Sequence, residues 1–290
     1  SDLRRQRQMC IRDSSGLAAA FRLSKGGSEV CVFEKSRGVS GRAASRSRNG
    51  CRYDYGANYL KPQSNEIAEL LFKTLPHDDL CRIAGDILTF DRTGHINPGD
   101  PKQNAESKWT YRSGISTLGK LLIEAGNFTI SRETLISSLS HEGTQWSLID
   151  ADGKTNGPFD ALLLTPPAPQ IVGLLVNTKA NAPVIAKLVD VLGQVSYHSQ
   201  FSVLLNFNAN VNLPNQAFAL INSDREHQLA WLSDEGRKAG HVVEGETLMV
   251  AQMSPSWSAE HYDDSPASIT SAAYQLSLIH ISEPTRQKPI

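Results

Sequence analysis

Residues 15–23 form a run of helix-forming residues, Gly26 and Gly27 supply a stop, and residues 29–34 follow as a short apolar, β-rich run. A small residue and a glycine opening a helix, then a strand ending in an acid, make the second half of a βαβ unit. Its first strand is expected in the residues just upstream of Ser15. Further along, the pattern predicts a helix over 65–74, a strand near 87–90, a loop over 94–108, and a helix over 113–125 that Ser113 or Ser116 caps. Strand signals then recur at 134–139, 146–150 and 161–165, with a turn at Asp152-Gly153, which reads as a meander feeding a buried strand. Residues 171–176 and 184–192 read as helices. Residues 201–207, 217–222, 229–232 and 248–253 read as an antiparallel sheet.

Composition narrows the class. The chain has 290 residues, 40% hydrophobic and 20% charged, which excludes disorder, collagen and coiled coil. A pI near 6.7 argues against a protein that coats nucleic acid. The longest apolar stretch is cut by Pro166, Pro167 and Pro169, short of the roughly 20 residues of a membrane span, so a cytoplasmic protein without a membrane partner is expected. The cysteines Cys10, Cys31, Cys51 and Cys81 have no CxxC spacing and no HExxH occurs, so reduced thiols and no metal site are expected. His198, His227 and His241 carry no partner pattern. Trp109, Trp231 and Trp257 are expected in the core or at a domain interface.

The two ends read differently at the nucleotide level. Met9 to Ser14 back-translates to ATG TGT ATA AGA GAC AGN, and Leu276 to Ile281 to CTG TCT CTT ATA CAC ATC; over their common stretch the two strings are reverse complements. Folding gives no reason for such a repeat, whereas a transposase-type sequencing adapter leaves one when it is translated. Residues 1–14 and 276–290 are therefore expected to be foreign. They carry six basic and three acidic residues of the chain's 29 and 30, which leaves 23 basic and 27 acidic residues in a mildly acidic core. The apparent basic arm at the start then gives no argument for a nucleic-acid partner.

Two constellations bear on chemistry. In a dinucleotide-binding unit, an acid at the position of Glu34 accepts from the adenosine ribose hydroxyls, and a glycine at Gly16 lets helix and strand pack closely. The earlier fingerprint glycines would fall at Ile11 and Asp13, where one side chain blocks the tight turn and the other sets a negative charge against a pyrophosphate. The second constellation is Glu34 to Arg42, with Gly38, Gly41 and Arg42, followed by Asp54-Tyr55-Gly56-Ala57-Asn58-Tyr59. Arg37, Arg42, Arg46 and Arg48 interleave with glycines and lack stacking aromatics, which favours one phosphate site over an RNA strip.

Both segments resemble the flavin-binding segments of the FAD-dependent amine oxidase superfamily, and within it the prokaryotic renalase-like oxidoreductases. The likeness extends through Lys108-Trp109-Thr110-Tyr111, residues 157–160, residues 165–170, Ala230-Trp231-Leu232 and residues 252–258, over nearly all of residues 15–275. It implies an α/β protein, with a Rossmann-like FAD-binding domain (15–62 and 109–170) and an interleaved α+β substrate domain on an antiparallel sheet (63–108 and 171–275). It assigns to the cofactor Ser15, Gly16, Glu34, Lys35, Gly41, Arg42, Gly56, Ala57, Asn58, Tyr59, Leu135 and Pro166. Gly41 and Arg42 would meet the pyrophosphate, and residues 56–59 would run beside the isoalloxazine ring.

The implied reaction passes a hydride from a reduced substrate to flavin and on to dioxygen, with an isomeric dihydronicotinamide dinucleotide as substrate. A flavin amine oxidase and a non-catalytic FAD-binding relative are the alternatives. No protein acid or base is required, in keeping with the lack of an outstanding His or carboxylate. A complete member would carry the full glycine fingerprint and a further flavin-contacting strand and helix. The 290-residue chain is thus expected to be a fragment that retains FAD poorly.

Overall fold

A computed structural model describes residues 6–10, 14–178, 183–207 and 210–280. The chain divides into two compact units, residues 1–42 with 116–197, and residues 43–115 with 198–290. The boundaries of these units differ from the domain boundaries expected from the sequence. The expected divisions near 62, 108 and 170 fall instead at 42, 115 and 197. Packing explains the shifts. Ile171, Leu174 and Leu175, with Ile185, Val189 and Leu192, join Phe33, Leu139, Leu148 and Phe159 in the core of the first unit. Cys51 and Tyr53 pack with Leu248 and Val250 in the second.

The first unit is built on a four-stranded parallel sheet in the order Ala161–Leu164, Gln6–Cys10, Glu29–Phe33 and Thr129–Ser131. Gln6–Cys10 takes the central place predicted for the missing first strand, pairing Gln8 with Cys31 on one side and Leu162 on the other. Backbone pairing supplies that ladder irrespective of side chain, so residues that read as foreign at the nucleotide level complete the sheet. Ile11 and Asp13 lie outside the described residues. The helix Ser14–Lys25 buries Gly16, Leu17, Ala20 and Phe21 and stops at Gly26-Gly27, where Gly27 has a φ of 84° that favours glycine.

The predicted meander is a separate three-stranded antiparallel sheet, Ile136–Glu142, Gln145–Asp150 and Thr155–Phe159, leading into Ala161–Leu164. The helix predicted over 113–125 is shorter, Thr117–Ala125. Ser116 holds the N-cap position without a side-chain capping bond, and Ser113 gives its hydroxyl to Asp79 instead.

The second unit is organised by a six-stranded sheet in the order Ser202–Phe207, Thr247–Met253, Leu229–Asp234, Ala219–Asn222, Ile87–Phe90 and Ile96–Asn97. It is antiparallel as expected, except that Ala219–Asn222 and Ile87–Phe90 run parallel. The predicted loop over 94–108 contains the short strand Ile96–Asn97 and the helix Pro101–Ala105, which Asp100 caps by accepting from the amides of Lys102 and Gln103. Trp257 is in the core beneath this sheet. The fold is therefore α/β, a Rossmann-like unit interleaved with an α+β unit on a largely antiparallel sheet. Among the described residues no helix is long and apolar enough to cross a membrane.

Candidate functional site

The strands Glu29–Phe33, Thr129–Ser131 and Ala161–Leu164 belong to one parallel sheet, so their carboxyl ends share one edge. In open α/β sheets this edge is where ligands bind. Residues that leave it, Lys35, Thr134, Leu135 and Pro166, line one cleft of about 430 Å³ together with Gln170, Gly173 and Asn177. Three residues assigned by sequence resemblance, Lys35, Leu135 and Pro166, are thus brought together. Leu135 is 51% exposed. An exposed leucine and a proline give the cleft apolar surface of the kind a flat ring covers.

Glu34, which follows the lining residue Phe33 and precedes the lining residue Lys35 in the chain, is buried. Its amide donates to the Ser131 carbonyl at 2.8 Å, and its carbonyl accepts from the Thr134 amide at 3.0 Å. Its Oε1 accepts from the Ser36 amide at 2.7 Å, which helps hold the carboxylate at the end of its strand.

Gly16 is buried in the first turn of Ser14–Lys25, and Ser15 is exposed beside it. The Ser14 hydroxyl donates to the Ser40 carbonyl at 3.4 Å, tying the start of this helix to the 35–42 loop. Ser40 is buried in the left-handed region with a φ of 85°, and its hydroxyl donates to the Ser116 carbonyl at 3.0 Å. A side chain at Gly119 would collide with the Ser40 hydroxyl and crowd Leu17, so the bare helix face at Gly119 lets the loop lie down. Gly41 and Arg42 leave this anchored point exposed to solvent, as a phosphate contact requires.

Gly56, Ala57, Asn58 and Tyr59 belong to the second unit. Gln252 secures them: its Nε2 donates to the Gly56 carbonyl at 2.9 Å, and its Oε1 accepts from Asn58 Nδ2 at 3.5 Å. Tyr59 packs against Phe218 and Trp231 at ring-centroid distances of 6.3 Å.

The same unit holds a buried ionic network that the sequence reading missed. Lys238 Nζ lies 3.0 Å from Asp54 Oδ2 and 2.9 Å from Glu235 Oε1, all three side chains having no exposed surface. His241, given no role from sequence, places Nδ1 3.0 Å from Glu235 Oε2 and Nε2 3.1 Å from the Tyr111 carbonyl. Asp54 also accepts from the Ile115 amide at 2.9 Å and the Thr110 hydroxyl at 3.2 Å. Ligand atoms of Asp54, Glu235 and His241 lie within 4.8 Å of one another, but the Lys238 ammonium already supplies a cation to both carboxylates. The network fixes Asp54 two residues before Gly56.

Other titratable groups are set by burial. It pushes the Tyr111 hydroxyl up to about 12, with Asp79 adding to the effect. It also raises the Cys81 thiol, which argues against a thiolate nucleophile there. Cys31, Cys51 and Cys81 are free thiols.

Some of these features had a sequence signal and others had none. Gln170, Gly173 and Asn177 recur at helical spacing, three and four apart, and could have been noticed. Glu235, Lys238 and His241 sit in a polar, glycine-containing stretch that reads as exposed loop.

Residues 13–75 match the NAD(P)-binding Rossmann-like domain family. Over the whole chain the fold is similar to that of several solved structures. A provisionally named protoporphyrinogen oxidase from Exiguobacterium sp. 255-15 superposes with a TM-score of 0.74 at 15% identity, covering 97% of this chain and 85% of that one. Putrescine oxidase bound to putrescine gives 0.72 at 11% identity, covering 96% and 82%. An oxidoreductase from Methanosarcina mazei gives 0.71 at 12% identity, covering 95% and 84%.

Proposed function

We propose that the chain is an FAD-dependent oxidoreductase whose first unit holds the adenosine end of the cofactor. The observation that carries this reading is the cleft at the carboxyl edge of the parallel sheet, where Lys35, Leu135 and Pro166 converge beside Glu34. The residues present fit the group: an open apolar slot for the base, an anchored carboxylate for ribose hydroxyls, and an exposed Gly41-Arg42 pair for phosphate. Ser15 and Gly16 lie where a helix start favours negative charge. Gly56, Ala57, Asn58 and Tyr59 of the second unit are the residues the resemblance would set beside the ring, and within that unit Gln252 secures Gly56 and Asn58. When bound, the flavin supplies hydride acceptance and reaction with dioxygen, while this chain binds, orients and shields.

The substrate we infer is an isomeric dihydronicotinamide dinucleotide, on the strength of the renalase-like segments. The structural similarity to putrescine oxidase favours an amine as the second reading. Stopped-flow mixing of FAD-loaded protein with dihydronicotinamide isomers, and separately with amines, tests both. Flavin bleaching is expected with the isomers. Bleaching by amines alone selects the second reading, and bleaching by neither removes the enzyme reading.

We also infer that Met9 to Ser14 and Leu276 to Ile281 are translated adapter. His280 supports this: it is buried, neither ring nitrogen has a hydrogen-bond partner among the described residues, and burial with nearby His227 pushes its pKa down to about 4. Such a residue costs stability and contributes no bond. Sequencing of the source DNA through an adapter-independent amplicon is expected to lack both strings; their presence would overturn this reading.

A further inference from the structure

The helix Ala168–Val176 gives the cleft a wall to which sequence resemblance assigns no task. Gln170, Gly173 and its C-cap Asn177 line the cleft, and their spacing puts them on one helical face. The opposite face is committed to the core through Ile171 and Leu175. Among the described residues neither the Gln170 nor the Asn177 side chain has a hydrogen-bond partner.

Gly173 needs an explanation, since glycine weakens a helix interior. Packing does not require it, because a Cβ there would meet nothing within 4 Å, and its backbone is helical. What its smallness preserves is the open space of the cleft.

An amide side chain presents a donor and an acceptor side by side. That pattern complements the 6-amino group and N7 of adenine, and it mismatches guanine, where O6 and N7 are both acceptors. Leu135 and Pro166 give the same cleft apolar surface for the faces of a ring. We propose that Gln170 and Asn177 read the edge of an adenine base seated over Gly173, making this helix the element that sets base specificity. The inference rests on reading the first unit as a nucleotide site, and not on the flavin.

Titration calorimetry of the 290-residue chain with AMP and GMP tests it. These nucleotides lack a pyrophosphate, so the substituted positions Ile11 and Asp13 weigh little. AMP is expected to bind at least about tenfold more tightly than GMP. In Gln170→Ala/Asn177→Ala, AMP is expected to weaken by about tenfold or more while GMP changes little, bringing their ratio near one. Gly173→Trp should abolish AMP binding by filling the cleft, while a denaturant midpoint equal to that of the unsubstituted chain shows that this variant folds. Undiminished AMP binding in Gly173→Trp, or an unchanged ratio in the amide variant, overturns the inference and leaves the nucleotide reading standing. Failure of the unsubstituted chain to bind AMP overturns both.

Discussion

Lys238→Met is expected to destabilise the protein by about 3–5 kcal/mol, the usual cost of breaking a buried ion pair from one side. The ammonium lies within 3.0 Å of Asp54 and 2.9 Å of Glu235, and all three side chains are excluded from solvent. Removing it leaves the two buried carboxylates of Asp54 and Glu235 without the ammonium that bridges them, and with no water to solvate their charge. Methionine preserves most of the volume, so cavity formation contributes little and the loss reports charge. Lys238→Met/Glu235→Gln removes one charge of each sign and is expected to recover part of the loss, as a double-mutant cycle would reveal. Denaturant unfolding of the parent and these variants checks it. Equal stability of Lys238→Met and the parent would contradict the account of the network.

Ile11→Gly/Asp13→Gly is expected to raise FAD affinity by about tenfold or more, which is about 1.4 kcal/mol per factor of ten. The strand Gln6–Cys10 ends and the helix Ser14–Lys25 begins around these positions, the strand-to-helix context in which glycines allow close approach of backbone to a pyrophosphate. Together with Gly16 the two substitutions complete the fingerprint spacing. They remove a carboxylate that opposes the phosphates and a branched side chain that opposes the turn. Quenching of flavin fluorescence on titration measures the change. Equal affinities in the two chains would show that this loop does not govern binding.

Much of the first unit was legible because its elements are short, punctuated and locally determined. Gly26-Gly27 ends a helix, Glu34 ends a strand, and the prolines after Leu164 end another, each through its own backbone chemistry. The antiparallel strands of the second unit were equally plain from their apolar runs. The unit boundaries were not, because they depend on which core Ile171 or Tyr53 joins, a matter of tertiary packing. The hairpin Ser45–Arg48 with Cys51–Asp54 was also missed, its first strand being polar and largely exposed. Within the site, Lys35, Leu135 and Pro166 were assigned by resemblance and converge in one cleft. The Asp54, Glu235, Lys238 and His241 network was not legible, since Glu235, Lys238 and His241 sit in a polar stretch that reads as exposed loop and Asp54, far from them in the chain, joins them only through the fold.

The central claim is that the first unit receives the adenosine end of FAD at the carboxyl edge of its parallel sheet. Hydrogen–deuterium exchange of the Ile11→Gly/Asp13→Gly chain, with and without saturating FAD, locates the cofactor directly. Slowed exchange is predicted at residues 34–42, 134–137 and 170–177, the segments that line the cleft or carry the proposed ribose and phosphate contacts. Slowed exchange confined to other segments, or none at all with FAD demonstrably bound, would contradict the account.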